Sequence, residues 1–211
     1  GLAGAFLYEG DTMLRPDKLC TDWKQNLEAS GVKFIDNCKA LSIERESNNI
    51  KSVITTQGPI VCDQFVFAAG AWSSEWGAEL GISIPIQPGK GYSVTMNRPG
   101  QCPKYPMLFP EHRVGVTPFD QAYRLGSMME FVGFDESIPE KRIEQLKRSA
   151  EPYLNEPWTQ EILETWYGWR PMTWDSLPVI GKASGFENAF LATGHNMLGL
   201  SLAPASGKLL A

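Results

Sequence analysis

The sequence predicts an α/β protein (α+β over these 211 residues) in which a mixed layer is interrupted by a largely antiparallel sheet. Three observations carry that expectation. Helix-like and strand-like segments alternate up to about residue 85, and among them Gln64-Phe65-Val66-Phe67-Ala68-Ala69-Gly70 is an apolar run without alternation, the pattern of a parallel strand buried on both faces. Residues 86–168 change to strand-like stretches with turn residues and one helix. Residues 169–211 return to strand, glycine-rich turn and helix. The expected division is therefore 1–85, 86–168 and 169–211, with a ligand pocket between the layer and the inserted sheet.

Taken in order, Pro16 followed by Asp17 opens a helix, and Leu19, Trp23 and Leu27 recur at helical spacing. Gly31 is its stop, so residues 16–30 are expected as an amphipathic helix. Residues 32–35, 40–46 and 51–56 read as strands, with a turn at Gln57-Gly58-Pro59 and a return over 60–63. Between Ile84 and Met96 the strands look broken by Pro85, Pro88, Gly89 and Gly91. Residues 113–119 and 123–132 read as an antiparallel pair. Ser137-Ile138-Pro139-Glu140 has the form of a capping box before a helix whose apolar face is Ile143, Leu146, Ala150 and Tyr153. Residues 161–167 and 188–193 are further strands.

Composition excludes several classes. Hydrophobic residues make up 43% and charged residues 20%, which places the chain among globular proteins. The net charge of −5, without a Lys/Arg run, argues against nucleic acid or an anionic membrane as main partner. No apolar stretch is long enough to span a bilayer, and no signal peptide is visible. The cysteines Cys20, Cys38, Cys62 and Cys102 form no CxxC pair and lie far from His112 and His195, so no zinc site is expected, only reduced, partly buried thiols in a cytoplasmic protein. Both ends read as interrupted: Gly1-Leu2-Ala3-Gly4 starts no recognisable element, and Lys208-Leu209-Leu210-Ala211 lacks a helix stop.

Three motifs carry the chemistry. In Phe67-Ala68-Ala69-Gly70-Ala71-Trp72-Ser73 a strand ends in residues without bulk, which lets a ligand approach the backbone at its carboxyl end; close packing of a helix would demand the same residues. In Trp169-Arg170-Pro171, apolar neighbours hold an arginine whose planar fork suits a carboxylate, with a structural ion pair to Asp175 as the competing reading. In Gly194-His195-Asn196-Met197-Leu198-Gly199 a turn enters a helix whose N-terminus favours negative charge. His195 reads as a hydrogen-bonding or packing residue rather than a catalytic one. Ser201 and Ser206 lie in no nucleophile elbow, so a Ser–His–Asp hydrolase is not supported.

Together "FVFAAGAWS", "PIQPGKGYSV", "YRLGSMMEFVGFD", "GWRPMTWDSLPVIG" and "ATGHNMLGLSLAPASGKLLA" resemble, in that order and over nearly all of the chain, flavoproteins of the D-amino-acid oxidase superfamily, especially the small-subunit branch of D-amino-acid dehydrogenases. Glycine and sarcosine oxidases are cousins. The resemblance implies the C-terminal portion of such an enzyme, because the strand–GxGxxG–helix unit that opens the family does not occur here. It makes 1–85 and 169–211 parts of an FAD-binding domain and 86–168 a substrate-binding domain. It implies non-covalent FAD contacted by Ala40 on the adenine side, by Ala69, Gly70 and Trp72 along its length, and by Gly194, His195, Asn196, Leu198 and Gly199 around the flavin, mainly through backbone N–H groups. It implies Arg170 as the substrate-carboxylate ligand, with Met129 and Tyr92 lining the side-chain pocket. No catalytic side chain is required, since the flavin takes the hydride. The implied reaction is oxidative deamination of a D-amino acid or related small amine, with electrons passed to a membrane quinone or carrier, and the implied location is cytoplasmic or peripheral to the inner membrane. The alternatives are an oxygen-using oxidase or, for this chain alone, a non-catalytic substrate-binding module. Trp174 stands where the dehydrogenase branch commonly has Pro.

Overall fold

The computed structural model describes residues 3–211; Gly1 and Leu2, read above as part of an interrupted start, lie outside the described residues. Helix α1 spans Pro16–Ala29. It closes as a Schellman motif: Gly31 has φ +92°, and the Gly31 and Val32 N–H groups donate to Glu28 (3.0 Å) and Leu27 (3.0 Å). Its apolar face finds no cover among the described residues, because no residue of α1 is buried and Leu19 and Trp23 are exposed. Residues 32–35, expected as a strand, are irregular: a β-prone tetrapeptide with no ladder to join does not form one.

Next come β1 (Ala40–Glu46), β2 (Asn49–Thr55), β3 (Gly58–Val61), β4 (Phe65–Phe67), a 3-10 helix Gly70–Trp76 and the short α2 (Gly77–Leu80). The inserted region holds β5 (Gln87–Met96), β6 (Met107–Phe109), β7 (Val114–Pro118), β8 (Tyr123–Glu130), α3 (Glu140–Ala150) and β9 (Ile162–Met172). The chain then forms β10 (Val179–Lys182), β11 (Ala189–Thr193) and α4 (Gly199–Leu210). Strands β1, β2 and β3 form one antiparallel meander. A second sheet has the order β10-β11-β4, with β11 and β4 parallel. The third is antiparallel, in the order β6-β7-β8-β5-β9. Strands β6 and β10, three and four residues long, lack a readable alternation in the sequence.

Three expectations are corrected. Strand β4 is the parallel strand anticipated, but it lies at a sheet edge and only one face is covered: Phe65 and Phe67 are buried while Val66 is 54% exposed. Strand β5 is unbroken through Pro88. Pro88 faces Pro171 across the β5–β9 ladder and the β5–β8 ladder begins only at Lys90, so the missing N–H costs no rung. No capping box forms before α3. The Ser137 N–H and hydroxyl both donate to the Asp135 carboxylate (2.8 and 2.9 Å), and the helix begins after Pro139.

Two apolar cores result. Ile50, Phe65, Phe67, Leu80, Ile86 and Leu191 join the two small sheets, whereas Val94, Met96, Val116, Leu125, Leu146 and Ala150 seal α3 onto one face of the five-stranded sheet. Complete burial of a side chain such as Leu125 or Val94 contributes roughly 1.5–3 kcal/mol. Cys20 and Cys62 are exposed, not partly buried as expected; all four thiols are free. Among the described residues no helix is long and apolar enough to cross a membrane.

Candidate active site

The three motifs converge where the parallel strands of the layer meet the last rungs of the inserted sheet. At the end of β4, Gly70 has φ +56° and turns the chain into the 3-10 helix. Its carbonyl accepts the hydroxyl of Thr193 (3.1 Å) at the end of β11, and the Thr193 oxygen in turn accepts from Ser73 (2.6 Å). Thr193 and Ser73 are fully buried, so this pair of bonds fixes the first and third motifs together in a place where leaving either unmade would cost about 1–3 kcal/mol.

The following turn is tied to β9. Asn196 has φ +53°, a left-handed conformation that asparagine tolerates. Its N–H donates to the Pro171 carbonyl (3.1 Å), its Oδ1 accepts from the Thr173 N–H (3.0 Å), and its Nδ2 donates to Thr173 Oγ1 (3.0 Å) and the Gly194 carbonyl (2.8 Å). Gly194 has φ +76°, and a Cβ there would lie 2.8 Å from Thr173 Cγ2 and 3.0 Å from Ile86 Cδ1. Only glycine fits both the torsion and the gap.

Two of the N–H groups expected to face a cofactor are therefore committed. Asn196 gives its own to Pro171, and Leu198 gives its own to the His195 carbonyl (2.9 Å). Among the described residues the N–H groups of His195, Met197 and Gly199 meet no acceptor, and Leu198 at the N-cap of α4 supplies no side-chain cap. Open N–H groups at the start of a twelve-residue helix suit the electron-rich edge of a ring or an oxyanion, and the residues present fit a flavin on that ground. The His195 ring is engaged elsewhere: its Nε2 hydrogen-bonds Ser206 Oγ (2.8 Å) within α4, the packing role expected of it.

Arg170 lies two residues before Met172, the last of β9, paired with Gly89 of β5. Alternation puts Trp166, Gly168 and Arg170 of β9 on one face with Gly89 and Gly91 of β5, and Lys90, Tyr92, Tyr167 and Trp169 on the other. The guanidinium is part-buried, and burial pulls its pKa below the ordinary arginine value; it remains a cation. Its one hydrogen-bond partner among the described residues is the Met128 carbonyl (Nη1, 3.2 Å). The anticipated competitor, Asp175, instead accepts the Leu177 N–H (3.0 Å), and among the described residues no carboxylate pairs with Arg170.

A bulge in β8 aims the Met128 carbonyl. Lys90 pairs with Glu130 but Tyr92 with Ser127, so β8 carries one extra residue, and Met128 has φ +76°. The bulge also sends Met129 to the arginine face, its Sδ lying 2.5 Å from where a Gly89 Cβ would stand. Tyr92 is corrected: it is buried on the opposite face, with its hydroxyl donating to Glu130 (2.7 Å), a carboxylate ion-paired with Arg142. Trp72 is also taken up elsewhere, stacked on Phe134 (5.5 Å, 7°) and edge-on to Trp169 (5.6 Å). Ala69 and Gly70 line the turn beside Thr193, whereas Ala40 opens β1, pairs with Thr55 in the separate meander and is not brought to the cluster.

Sequence reasoning missed Thr173, Thr193, Met128 and the glycines of β5 and β9. The glycine signal was legible in Gly89-Lys90-Gly91, two bare residues on one face of a strand; the bulge leaves no composition signal.

The family model described as DAO, FAD dependent oxidoreductase, matches residues 1–211. A D-amino acid dehydrogenase of Neisseria gonorrhoeae is 37% identical over 199 residues, covering 91% of this chain and 47% of that protein. One from Vibrio atlanticus is 33% identical over 196 residues, covering 92% and 47%. The chain thus spans about half the length of the curated relatives it matches. Glycine oxidase from Bacillus cereus superposes with a TM-score of 0.78 at 27% identity, over 91% of this chain and 54% of that one. L-proline dehydrogenase from P. horikoshii shares the fold at a TM-score of 0.84, over 92% and 54%, at 23% identity. With the arginine, the glycine turn and the interrupted layer in these positions, the chain belongs to the DAO family of FAD dependent oxidoreductases.

Proposed function

We propose that the full-length protein is an FAD-dependent amino-acid dehydrogenase that oxidatively deaminates a D-amino acid or related small amine, and that this chain supplies its substrate sheet and the flavin-facing turn. One observation carries the reading: Arg170 lies part-buried on the sheet with, among the described residues, a single carbonyl partner and no carboxylate, beside the turn that begins at Gly194. A cation in that state favours an anionic ligand, and its fork matches a carboxylate. A bound FAD would supply the acceptor for the hydride of the substrate carbon. Arg170 holds the carboxylate, Met129 lines the apolar side, and Trp166 on the same face limits side-chain size. The open N–H groups of His195, Met197 and Gly199 stabilise negative charge at the turn, with Ala69 and Gly70 beside them. Tyr92, Trp72, Asn196 and Leu198 act at one remove, by holding the sheet and the turn in place. Residues 86–168 form the substrate-binding region and 1–85 with 169–211 the cofactor-binding layer in this reading. The dehydrogenase names of the curated relatives favour a quinone or protein carrier as electron acceptor over oxygen.

An absorption spectrum of the full-length protein, before and after anaerobic addition of D-alanine, tests the proposal. Flavin bands that bleach are the expected result. Bands that survive D-alanine, other D-amino acids, glycine, sarcosine and proline would overturn it. Peroxide released under air would replace the carrier with oxygen.

A further inference from the structure

We propose that Gly91 is a positioning residue for Arg170: its bare backbone is the bed on which the guanidinium lies. The inference rests on the reading of Arg170 given above. A Cβ at position 91 would stand 2.6 Å from Nη2 and 2.7 Å from Cζ of Arg170, and would overlap Nη1 as well. Gly91 needs no glycine for its torsions, since it lies in regular β5–β9 rungs, opposite Gly168, and has no positive φ. The space above it is what matters. Gly89 and Gly168 share its face and admit other groups: a Cβ at Gly168 would lie 2.7 Å from Trp166 Cζ2, and one at Gly89 2.6 Å from Met172 Cγ. Each bare position therefore receives a different side chain, and Gly91 alone receives the arginine.

The guanidinium is fixed from below by the missing side chain and at one edge by the Met128 carbonyl. Among the described residues the other N–H donors of the fork meet no acceptor, and a planar carboxylate can take two of them. A methyl group at 91 would lift the fork by about 1 Å to reach ordinary contact, a displacement large enough to cost about 100-fold in a positioned site. The strand itself accommodates the change, because the displaced atoms are the far end of a flexible side chain and alanine is no worse than glycine in a strand.

The test uses the full-length FAD-loaded protein as wild type, Gly91→Ala, Gly168→Ala, Arg170→Lys and the double variant Gly91→Ala/Arg170→Lys, with the amino acid that bleaches the flavin. Gly91→Ala is expected to raise KM by about 10- to 100-fold, the range for loss of a charged hydrogen bond, with flavin content and the urea midpoint unchanged. In the Arg170→Lys background the same change is expected to alter KM by less than about twofold, because the planar group it positions is gone. Gly168→Ala, which displaces Trp166, is expected to change preference among side chains and not the contribution of Arg170. If Arg170→Lys raises KM and Gly91→Ala does not, the Gly91 role is wrong and the Arg170 site stands. If Arg170→Lys leaves KM unchanged, both fall. Additive effects in the double variant, or a Gly91→Ala protein that does not fold with FAD, also overturn the Gly91 role, since the methyl is then not absorbed by Arg170.

Discussion

At the scale of single residues, the face of the sheet opposite Arg170 hides a polar network of its own. Tyr92 is buried against the Glu130 carboxylate; burial first, then the bond to that carboxylate, pushes its phenol well above the ordinary tyrosine value. The folded state therefore keeps a proton that the unfolded chain releases near pH 10, so this contribution is complete below about pH 10 and declines as pH rises toward the folded-state value. The expected consequence is measurable in the full-length protein: the stability advantage of wild type over Tyr92→Phe, read by urea denaturation, shrinks between about pH 10 and 12. A constant difference across that range would show that the Tyr92 phenol ionises as freely folded as unfolded. At this scale the sequence was legible where a residue type has one strong use. An arginine between Trp169 and Pro171 stood out as a carboxylate ligand candidate, and the structure leaves it without a carboxylate partner among the described residues; the His195 ring, expected to hydrogen-bond or pack, bonds Ser206. Tyr92 was not legible, because a one-residue register places it on the far face and no local pattern states which face a ligand takes.

At the scale of elements, the backbone of the connector from β8 to α3 is tied to the sheet by Lys90. Lys90 is 0% exposed, and its ammonium donates to the carbonyls of Asp135 and Ser137 (both 2.5 Å) while lying over the rings of Tyr167 (4.9 Å) and Tyr92 (5.2 Å). Asp135 is 4.0 Å away and is itself kept below the usual carboxylate range by the N–H and hydroxyl of Ser137. Replacing Lys90 with Met keeps the apolar stem and removes the donor, leaving two carbonyls unpaired at about 1–3 kcal/mol. Limited proteolysis of the Lys90→Met full-length protein is expected to cut within 131–138 at protease levels that spare wild type; an unchanged digestion pattern would mean that Phe134, stacked on Trp72, holds the connector alone. Long patterned elements such as α1, β7, β8 and α3 were readable from periodicity. The β5 strand was misread because Pro88 and two glycines count against a strand locally, and only its partners in β8 and β9 reveal that neither the missing N–H nor the missing side chains break it. The capping box failed for a similar reason: Asp135, two residues before Ser137, takes both its N–H and its hydroxyl.

At the scale of the molecule, the layer presents apolar surface that its own residues leave uncovered. Val66 on β4, and Leu19 and Trp23 on α1, are exposed, and no GxGxxG segment is present to cradle a pyrophosphate. The 211-residue chain on its own is therefore expected to bind FAD too weakly to co-purify with a yellow colour, whereas the full-length protein retains it. A stoichiometric flavin spectrum from the chain alone would show that the Gly194 turn and the sheet suffice. The change from layer to sheet and back was visible in the order of helix-like and strand-like segments, although the spacing of apolar residues in β4 misstated its burial. The hydrogen bonds that join them were not, because Thr193 meets Gly70 across more than half of the chain.

That long separation has a kinetic meaning. The inserted sheet enters at Gln87 and leaves at Met172, and those two residues face each other on one rung. Once β5 and β9 have zipped, the loop that β4 and β11 must close shrinks from the whole intervening chain to the short stretches on either side of that rung, which lowers the closure entropy by about 1 kcal/mol. The chain is thus built to condense from the middle outward. The five-stranded sheet can order first as an antiparallel unit, and the parallel pairing that aligns the glycine turn with Arg170 comes after it.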